Sequence, residues 1–428
     1  MINIKQTLNR VIASKFLKSI LQLATGSFVA QIITILASPI STRLFTADQL
    51  GIYTMILTFS SIFGPVIAGR YDMAIVTAID EEETFDLIIA SLINILIFSV
   101  IITVVYHLYL THNIEIYKEV GYFAYIIIFS LILQGIHNIL INYNNRHKEY
   151  SLMSKVYVIR AFAQNIAMVI FGIFNVGAIG LLLSQFVGLV SGLKKQSIIL
   201  SKSGIIKNKV NFSRIKNTLW KYRNQFIYSM PAHFTNSASY SLLNFFISEL
   251  FGFSVFGYYS LSYRILGLPL NLISDNVSKV FYQRATEEKN NSGNYRNSFR
   301  YMSFFLIPLS VLMTICFIFF GPYVFELVFG EGWYVSGRYV QILAPMFGFR
   351  FVVTALSPAL LISQKQKLEF VLQNLFIMLS VGVFFISKVF TLNIEKFLAC
   401  ISISYSIVYL FFLIIIYQLS KKNEEVKK

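Results

Sequence analysis

The chain has 428 residues, of which 56% are hydrophobic and only 13% are charged, whereas soluble globular domains carry about 25% charged residues. A water-soluble fold could not bury so many separate apolar segments. The formal net charge is +16, from 36 Lys and Arg against 20 Asp and Glu. The basic residues lie between apolar runs, which indicates a membrane topology and excludes nucleic acid as the reason for the charge.

The chain begins with a basic segment, Met1–Lys18, which holds four Lys and Arg and leads into a long apolar run. A removed signal peptide would have a small-residue cleavage site, and no obvious one is present. We interpret the segment as a cytoplasmic amphipathic helix. An ordinary solvated start of the chain is the alternative.

Twelve apolar runs follow, each close to the 20 or so residues that a membrane-spanning helix needs. The first six are residues 20–42, 50–71, 85–107, 121–142, 155–175 and 177–199. The second six are residues 226–249, 253–275, 299–320, 339–363, 369–388 and 397–419. A helix satisfies its backbone hydrogen bonds internally in lipid. We therefore predict an all-α polytopic membrane protein of about twelve spans, with both termini on one side.

Basic residues are distributed unequally between the two sides that this topology defines. The side that carries the termini collects 28 Lys and Arg, and the opposite side collects 5. The remaining three of the 36 are Arg264, Lys279 and Arg350. Because cytoplasmic loops carry the excess of Lys and Arg, we predict that both termini are cytoplasmic.

The longest polar segment, residues 194–225, separates the first six spans from the second six. It contains nine Lys and Arg and no acidic residue between Lys194 and Arg223. We predict an N-terminal lobe of residues 1–199, a basic cytoplasmic linker of residues 200–225 and a C-terminal lobe of residues 226–428. The linker is interpreted as a solvated segment that touches anionic lipid headgroups. A regulatory or partner-binding role is the alternative.

The two halves also show a weak internal similarity. Leu44–Tyr53 (LFTADQLGIY) and Leu250–Tyr259 (LFGFSVFGYY) share Leu, Phe, Gly and Tyr at an offset of 206 residues. A repeat with six spans between corresponding segments would be parallel, with its axis along the membrane normal. Coincidence is the alternative explanation.

Four prolines occupy corresponding spans of the two halves: Pro39, Pro65, Pro231 and Pro269 lie in spans 1, 2, 7 and 8. Proline removes one hydrogen bond of the helix and kinks it. Bent helices at matching places suit a transporter that opens alternately to each side, so we predict that these prolines are gating kinks. Simple tolerance of proline in membrane helices is the alternative.

Two arginines lie deep in predicted spans. Arg264 is about 11 residues into span 8 and Arg350 about 12 residues into span 10, near the middle of a hydrocarbon core about 30 Å thick. A charge at that depth is costly unless it faces water or a partner, and the sequence places no acidic residue at comparable depth on a neighbouring span. A water-filled cationic cavity that attracts an anionic substrate explains both. Snorkelling or pairing with backbone carbonyls is the alternative.

Other polar side chains lie within the spans, and we predict that they line a hydrophilic path, although packing between helices explains many such residues. The selected residues are His233, Asn236, Gln31 and Asn138. Cys316 and Cys400 lie in apolar runs, where lone cysteines usually pack. The sequence contains no metal-binding, phosphate-loop or paired-carboxylate motif. We therefore predict no catalytic residue, metal or cofactor, and do not expect an enzyme.

Several runs together resemble the Wzx-type polysaccharide flippases of the multidrug/oligosaccharidyl-lipid/polysaccharide exporter superfamily. They are LATGSFVAQIITILASPISTRLFTADQLGIYTMILTF, GRYDMAIVTAIDEEE, GYYSLSYRILGLPLNLI with VFYQRATEE, and FGPYVFELVFGEGWYVSGRYVQILAP. The YR of span 8 falls on Tyr263–Arg264, and the GRY-D element falls on Gly69–Asp72, so Arg70 joins Arg264 and Arg350 in the predicted cationic site. The FGxxW element is only loosely kept, as FGEGW. No motif of the family fixes Arg350.

The resemblance implies two six-helix bundles around a V-shaped central cavity in the bacterial cytoplasmic membrane. It implies a flippase for undecaprenyl-diphosphate-linked oligosaccharide in O-antigen, capsule or exopolysaccharide biosynthesis, with membrane lipids, a polysaccharide polymerase and a co-polymerase as partners. A cation-coupled multidrug exporter of the same superfamily is the first alternative. A membrane glycan polymerase or ligase, which tends to need larger outer loops, and a membrane scaffold are the others.

Overall fold

The computed structural model describes residues 25–205, 210–363 and 365–421. The predicted amphipathic helix Met1–Lys18 lies outside these residues. Within them all regular secondary structure is helical. Many apolar side chains face outward, among them Val100 and Phe304, which are 66% and 82% exposed. Exposed apolar helix faces are what a lipid environment requires.

Helices of ten or more residues in the described part of the chain are numbered here in chain order. They are α1 (Thr25–Leu44), α2 (Ala47–Phe63), α3 (Glu81–His112), α4 (Ile126–Arg146), α5 (Tyr150–Ile173), α6 (Ala178–Ser191), α7 (Phe212–Lys221), α8 (Met230–Pro269), α9 (Asp275–Ser292), α10 (Arg296–Phe329), α11 (Tyr334–Leu356), α12 (Gln366–Phe390) and α13 (Ile394–Lys421).

Ten helical segments of the described residues are long and apolar enough to cross a membrane. They account for eleven of the twelve predicted spans, because the spans at 226–249 and 253–275 lie in one continuous segment, Gln225–Ser292. The remaining prediction, 50–71, corresponds to α2, a helix of 17 residues. The all-α polytopic fold is confirmed.

A glycine divides α8 where the sequence predicts the end of one span and the start of the next. Gly252 has φ 80° and ψ 173°, which is not helical. That backbone region is open essentially to glycine alone. Its position between the predicted boundaries 249 and 253 explains why one helical segment contains two spans.

The second predicted span ends earlier than expected. α2 stops at Phe63, and residues 64–70 form a series of turns that end with Gly69 and Arg70 in left-handed conformation, φ 64° and 63°. Pro65 therefore lies in a turn and not within a helix, which corrects the predicted position. The physical reason is that proline has no N–H to continue the helix, while Asn138 Nδ2 donates to the Gly64 carbonyl at 3.2 Å.

The ends of helices support the internal similarity. α2 begins after its N-cap Thr46, and 46 + 206 gives 252, the position of the break in α8. α2 ends at Phe63, and 63 + 206 gives 269, the last residue of α8. At the same offset that aligns the sequences, the start of α2 therefore coincides with the break in α8, and the end of α2 with the passage from α8 into a π-helical turn.

The basic linker contains an ordered helix that packs on acidic residues. Arg214 of α7 forms ion pairs with Asp86 at 2.8 Å and Glu82 at 2.7 Å, and Lys221 forms one with Glu83. Asp86 is fully buried. Part of the linker is therefore docked on the first turns of α3. The sequence interpretation of the linker as a solvated segment did not include this docking.

Clustering of the chain by contacts gives two compact units that meet between Ser241 and Leu242. The sequence prediction placed the start of the second lobe at residue 226. Residues 226–241 belong to the first compact unit, in which Phe226 stacks with Tyr71 and Phe234 contacts Phe63. In the first unit α5 packs along α6, and in the second α11 packs against α10 and α13.

Candidate functional site

Arg350, in the second unit, is held by aromatic side chains. Its Nη1 donates to the Tyr263 hydroxyl at 2.5 Å, and its guanidinium lies 5.6 Å from the ring centre of Tyr263 and 5.5 Å from that of Phe347. Cation–π contacts of this kind are worth about 0.5–2 kcal/mol. The guanidinium is therefore both oriented and stabilised in its charged form.

Arg350 lies well inside a long helical segment. The helical segment Glu331–Ile362 places it 19 residues from one end and 12 from the other, or about 28 Å and 18 Å at 1.5 Å per residue. The sequence placed no acidic residue at comparable depth on a neighbouring span. Asp275, at the start of α9, lies close enough to Arg350 for electrostatic interaction, because the chain brings α9 alongside α11.

Small hydroxyl side chains set the position of Tyr263 against α11. Ser262 Oγ donates to the Ser336 carbonyl at 2.8 Å, and Ser336 Oγ donates to the Tyr258 carbonyl at 2.9 Å. Further along, Ser274 Oγ donates to the Phe351 carbonyl at 2.9 Å. Small residues let helices approach closely in membranes. The second half of α8 is thereby fixed along α11, with Tyr263 opposite Arg350.

Arg264 is not brought into the Arg350 site. It follows Tyr263 on α8, and its side chain is exposed, whereas Ser262 on the other side of Tyr263 is fully buried against α11. Successive residues point about 100° apart on a helix. Arg264 therefore faces away from the α8–α11 contact, and the two arginines do not form one cluster within the second unit.

Arg70, in the first unit, lies at the end of the turn that follows α2. Its Nη2 contacts His233 Nε2 at 3.2 Å, and its Nη1 contacts the Pro65 carbonyl at 3.5 Å. Arginine can only donate, so Nε2 of His233 must accept, which requires the neutral imidazole with its proton on Nδ1. The structure thus brings together Arg70 and His233, two residues that the sequence selected separately.

A buried polar cluster surrounds this turn. Asp72 is 2% exposed, accepts a hydrogen bond from Asn142 at 3.3 Å and interacts electrostatically with Arg70. Gln134 accepts from Ser60 at 2.7 Å. Together with the Asn138 contact to Gly64, these bonds link α4 to α2 and the turn. We call Ser60, Arg70, Asp72, Gln134, Asn138, Asn142 and His233 the first-unit polar cluster.

The other selected residues lie apart from this cluster. Gln31 is half-buried on α1, and Asn236 on α8 has a buried carboxamide oxygen with no protein partner in the described part of the chain. Pro39 lies inside α1. Pro231 follows the π-helical turn Gln225–Ser229, and Pro269 precedes the π-helical turn Leu270–Ser274, which are irregularities typical of proline in helices and of functional sites.

Sequence reasoning missed a second buried network in the first unit. Arg160 Nη1 donates to His137 Nε2, and His137 Nδ1 donates to Gln196 Oε1. The sequence placed the start of this span at residue 155, so Arg160 was assigned to its end. The helix begins at Tyr150, which puts Arg160 about 15 Å into it. The same depth argument used for Arg350 would have found Arg160 with the correct helix start.

Both arginine sites present a guanidinium group. A guanidinium offers planar donors that match phosphate and carboxylate oxygens. In the part of the chain that the structure describes, no group of three or more His, Cys, Asp or Glu could hold a metal ion. Half-buried guanidinium groups of this kind are suited to the recognition of negative charge.

Comparisons with known proteins agree with this architecture. Residues 21–337 match the family described as polysaccharide biosynthesis protein. No curated protein matches the sequence.

Solved structures of similar fold include an inward-facing multidrug resistance MATE family transporter of the MOP superfamily, with 14% identity and a TM-score of 0.67 over 93% of this chain and 100% of that one. The lipid II flippase MurJ in an inward closed conformation has 15% identity and a TM-score of 0.68. The match covers 92% of this chain and 87% of that one. A MOP superfamily transporter from Pyrococcus furiosus has 14% sequence identity and a TM-score of 0.59. The match covers 95% of this chain and 97% of that one. At these identities the likeness concerns the fold alone.

Proposed function

The chain belongs to the polysaccharide biosynthesis protein family, and we propose that it is a flippase for undecaprenyl-diphosphate-linked oligosaccharide repeat units. The match over residues 21–337 carries the proposal, and the mid-helix guanidinium of Arg350 supports it. The products would serve a bacterial surface polysaccharide, such as O-antigen, capsule or exopolysaccharide.

The substrate has three parts with different requirements. Its diphosphate is anionic and needs cationic donors in a site where water is scarce. Its sugars need polar partners, and its polyprenyl tail can remain in lipid. Arg350, oriented by Tyr263 and Phe347, is the proposed diphosphate ligand, and Arg264 is a second, exposed cation on α8.

The first-unit polar cluster is the proposed gate. Arg70 has a left-handed backbone, and its side chain bonds His233 close to the π-helical turn that precedes α8. A change in this bond would affect both the turn after α2 and the start of α8. Pro39, Pro65, Pro231 and Pro269 are proposed to make these segments bend, in alternating access of the kind that broken helices permit.

We further propose that the protein lies in the cytoplasmic membrane with both termini in the cytoplasm. The distribution of 28 against 5 basic residues supports that orientation. A polysaccharide polymerase and a co-polymerase are proposed partners, because the translocated repeat unit would be their substrate.

A cation-coupled multidrug exporter is the second candidate. One observation favours it: Asp72 is a buried carboxylate in the first unit, as coupling to protons or sodium would need. However, Asp72 interacts with Arg70 and Asn142, and a neighbouring arginine disfavours cation binding. This pairing makes the flippase the better proposal.

The test is a translocation assay with purified protein in vesicles that contain undecaprenyl-diphosphate-linked oligosaccharide. Wild-type protein should expose the labelled sugar to an external glycan-modifying enzyme faster than protein-free vesicles do. A deletion strain should lose surface polysaccharide without gaining drug sensitivity. No translocation, together with drug sensitivity of the deletion strain, would contradict the flippase and favour the exporter.

A further inference from the structure

A groove on the surface of the second unit combines two arginines with an apolar wall. It has a volume of about 370 Å³ and lies between α10 and the end of α13. The residues that line it are Arg296, Phe299, Arg300, Ser303, Phe304, Ile307, Pro308 and Tyr417. None of these residues belongs to the Arg350 site or to the first-unit polar cluster.

The lining follows one face of α10. Arg296, Arg300, Ser303 and Ile307 are spaced i, i+4, i+7 and i+11, which places them one above another on a helix. The cations stand at the start of the helix, and the apolar side chains continue toward its middle. Phe304 is 82% and Ile307 48% exposed, so the groove opens outward, where lipid lies. The stripe is therefore amphiphilic along its length.

Charge is concentrated at one end of this groove. Lys421 lies 3.8 Å from the ring centre of Tyr417, whose hydroxyl interacts electrostatically with Lys421, Arg296 and Arg300. No carboxylate pairs with either arginine among the described residues. Three cations around one hydroxyl repel one another, and an anion between them would relieve that repulsion.

A buried polar atom points to the same place. Ser303 is 8% exposed, and its Oγ has no hydrogen-bond partner among the described residues. A buried hydroxyl without a partner is unfavourable. An acceptor oxygen of a ligand in the groove would satisfy it, just below the level of the arginines.

We propose that this groove binds one anionic glycerophospholipid of the surrounding bilayer. The phosphate would lie between Arg296, Arg300 and Lys421, an ester oxygen would reach Ser303, and an acyl chain would follow Phe304 and Ile307. Basic pockets between membrane helices bind anionic headgroups in this manner, and the volume suits part of a lipid. The proposal requires only that the chain lies in a membrane, so it stands independently of the flippase proposal.

The experiment is native mass spectrometry of the full chain with three added lipids: phosphatidylglycerol, phosphatidylcholine and undecaprenyl phosphate. We expect one phosphatidylglycerol to be retained preferentially over phosphatidylcholine. R296Q/R300Q should weaken its retention by at least about tenfold, because hydrogen bonds to charged groups are lost. S303L should also weaken it, by filling the groove without changing the charge.

Arg284 provides the matched control. It is a cation on the neighbouring helix α9, its guanidinium lies over Tyr301 at 5.8 Å, and it does not line the groove. R284Q should retain phosphatidylglycerol as wild type does, and thermal melting should show that every variant is folded. Three results would each overturn the assignment. The first is undiminished retention of phosphatidylglycerol by both R296Q/R300Q and S303L. The others are an equal loss of retention in R284Q and preferential retention of undecaprenyl phosphate.

Discussion

The two units hold their central arginines by opposite means. Arg70 in the first unit stands in a strained turn, is bonded to His233 and has the buried carboxylate of Asp72 as a neighbour. Arg350 in the second unit stands inside a regular helix and is held by the rings of Tyr263 and Phe347. The first arrangement compensates a buried carboxylate, and the second orients a charge with aromatic rings while Asp275 lies close enough for electrostatic interaction.

This difference separates two uses of the same residue type. An arginine close to a buried carboxylate mainly compensates that carboxylate. Its removal should therefore lower the stability of the protein. An arginine on aromatic rings keeps its attraction for an external anion, so its removal should be felt in transport. The following variants test that division.

The largest effect is expected on transport in Arg350→Ala. We expect the rate of translocation to fall by about 100-fold or more, because two charge-assisted hydrogen bonds of about 1.5 kcal/mol each would be lost. Arg350→Lys should restore only part of the rate, since lysine lacks the planar fork. The vesicle assay described above measures both.

Tyr263→Phe is the matched variant for this site. It removes the hydroxyl that accepts from Arg350 and keeps the ring, so we expect a loss of about tenfold from one charged hydrogen bond. Wild-type transport by Arg350→Ala at normal protein level would rule out Arg350 as the ligand of the diphosphate.

Arg70→Ala should lower stability, and it should affect transport only through the proposed gate. It leaves Asp72 buried with less compensation, and we expect a loss of about 2–4 kcal/mol in the free energy of unfolding. The measurement is unfolding of the purified protein in detergent by denaturant titration. In the double variant R70A/D72N the buried charge is absent, so the combined loss should be smaller than the sum of the single losses.

These single and double variants can also contradict the prediction. Additive losses in R70A, D72N and the double variant would show that Arg70 and Asp72 are not coupled. The contrast with Arg350→Ala, for which we expect a smaller loss of stability and a larger loss of transport, would then disappear.

The corresponding helix breaks at residues 46 and 252 offer a third comparison. Gly252→Ala should cost about 2–3 kcal/mol of stability, because alanine is strained at φ 80° and ψ 173°. Thr46→Ala removes the capping box of α2 and should cost about 1 kcal/mol.

Gly267 is the control for the first of these variants. It lies inside α8, and a Cβ there would meet nothing within 4 Å, so Gly267→Ala should stabilise by up to about 1 kcal/mol. Thermal unfolding of the three variants in one detergent measures the series. A Gly252→Ala protein as stable as Gly267→Ala would mean that the break in α8 needs no left-handed residue.

The fold could be predicted from the sequence because hydropathy and length determine where helices can cross lipid. Helix ends were harder to place. Pro65 fell in a turn because Asn138 reaches the Gly64 carbonyl from α4, a contact between residues 74 positions apart. Such tertiary hydrogen bonds leave no local pattern in the sequence.

The candidate site shows the same limit. Depth alone selected Arg350, and the structure supplied its partner Tyr263. Depth failed for Arg160, because the helix starts five residues before the predicted span. The pairing of Arg70 with His233 joins residues 163 positions apart, and each was selected for a different reason. Residue type and depth can be read from one sequence, whereas partners require the packing of helices.

The smallest expected effect concerns α7, where an ion pair with a fully buried carboxylate lies beside a more exposed one. Hydrogen bonding to Asp86 raises the pKa of Arg214, and hydrogen bonding to Glu83 raises the pKa of Lys221 above its ordinary value of 10.5. Because docking raises the lysine pKa, the charged lysine stabilises the docked state at any pH below the ordinary lysine pKa. This contribution is lost as the pH rises through the raised pKa of the docked state. Docking of α7 should therefore be constant from pH 7 to 10 and should weaken only above about 10.5.

Limited trypsin cleavage after Lys216 reports on this docking, since cleavage within a helix requires local opening. Lys221→Gln should raise the cleavage rate by about twofold, as expected for an exposed ion pair, and about 1 M salt should remove the difference from wild type. Arg214→Gln should raise it more and should resist salt, because its partner Asp86 is fully buried and is screened less. Equal effects of the two variants at low and high salt would show that burial of the carboxylate does not distinguish them.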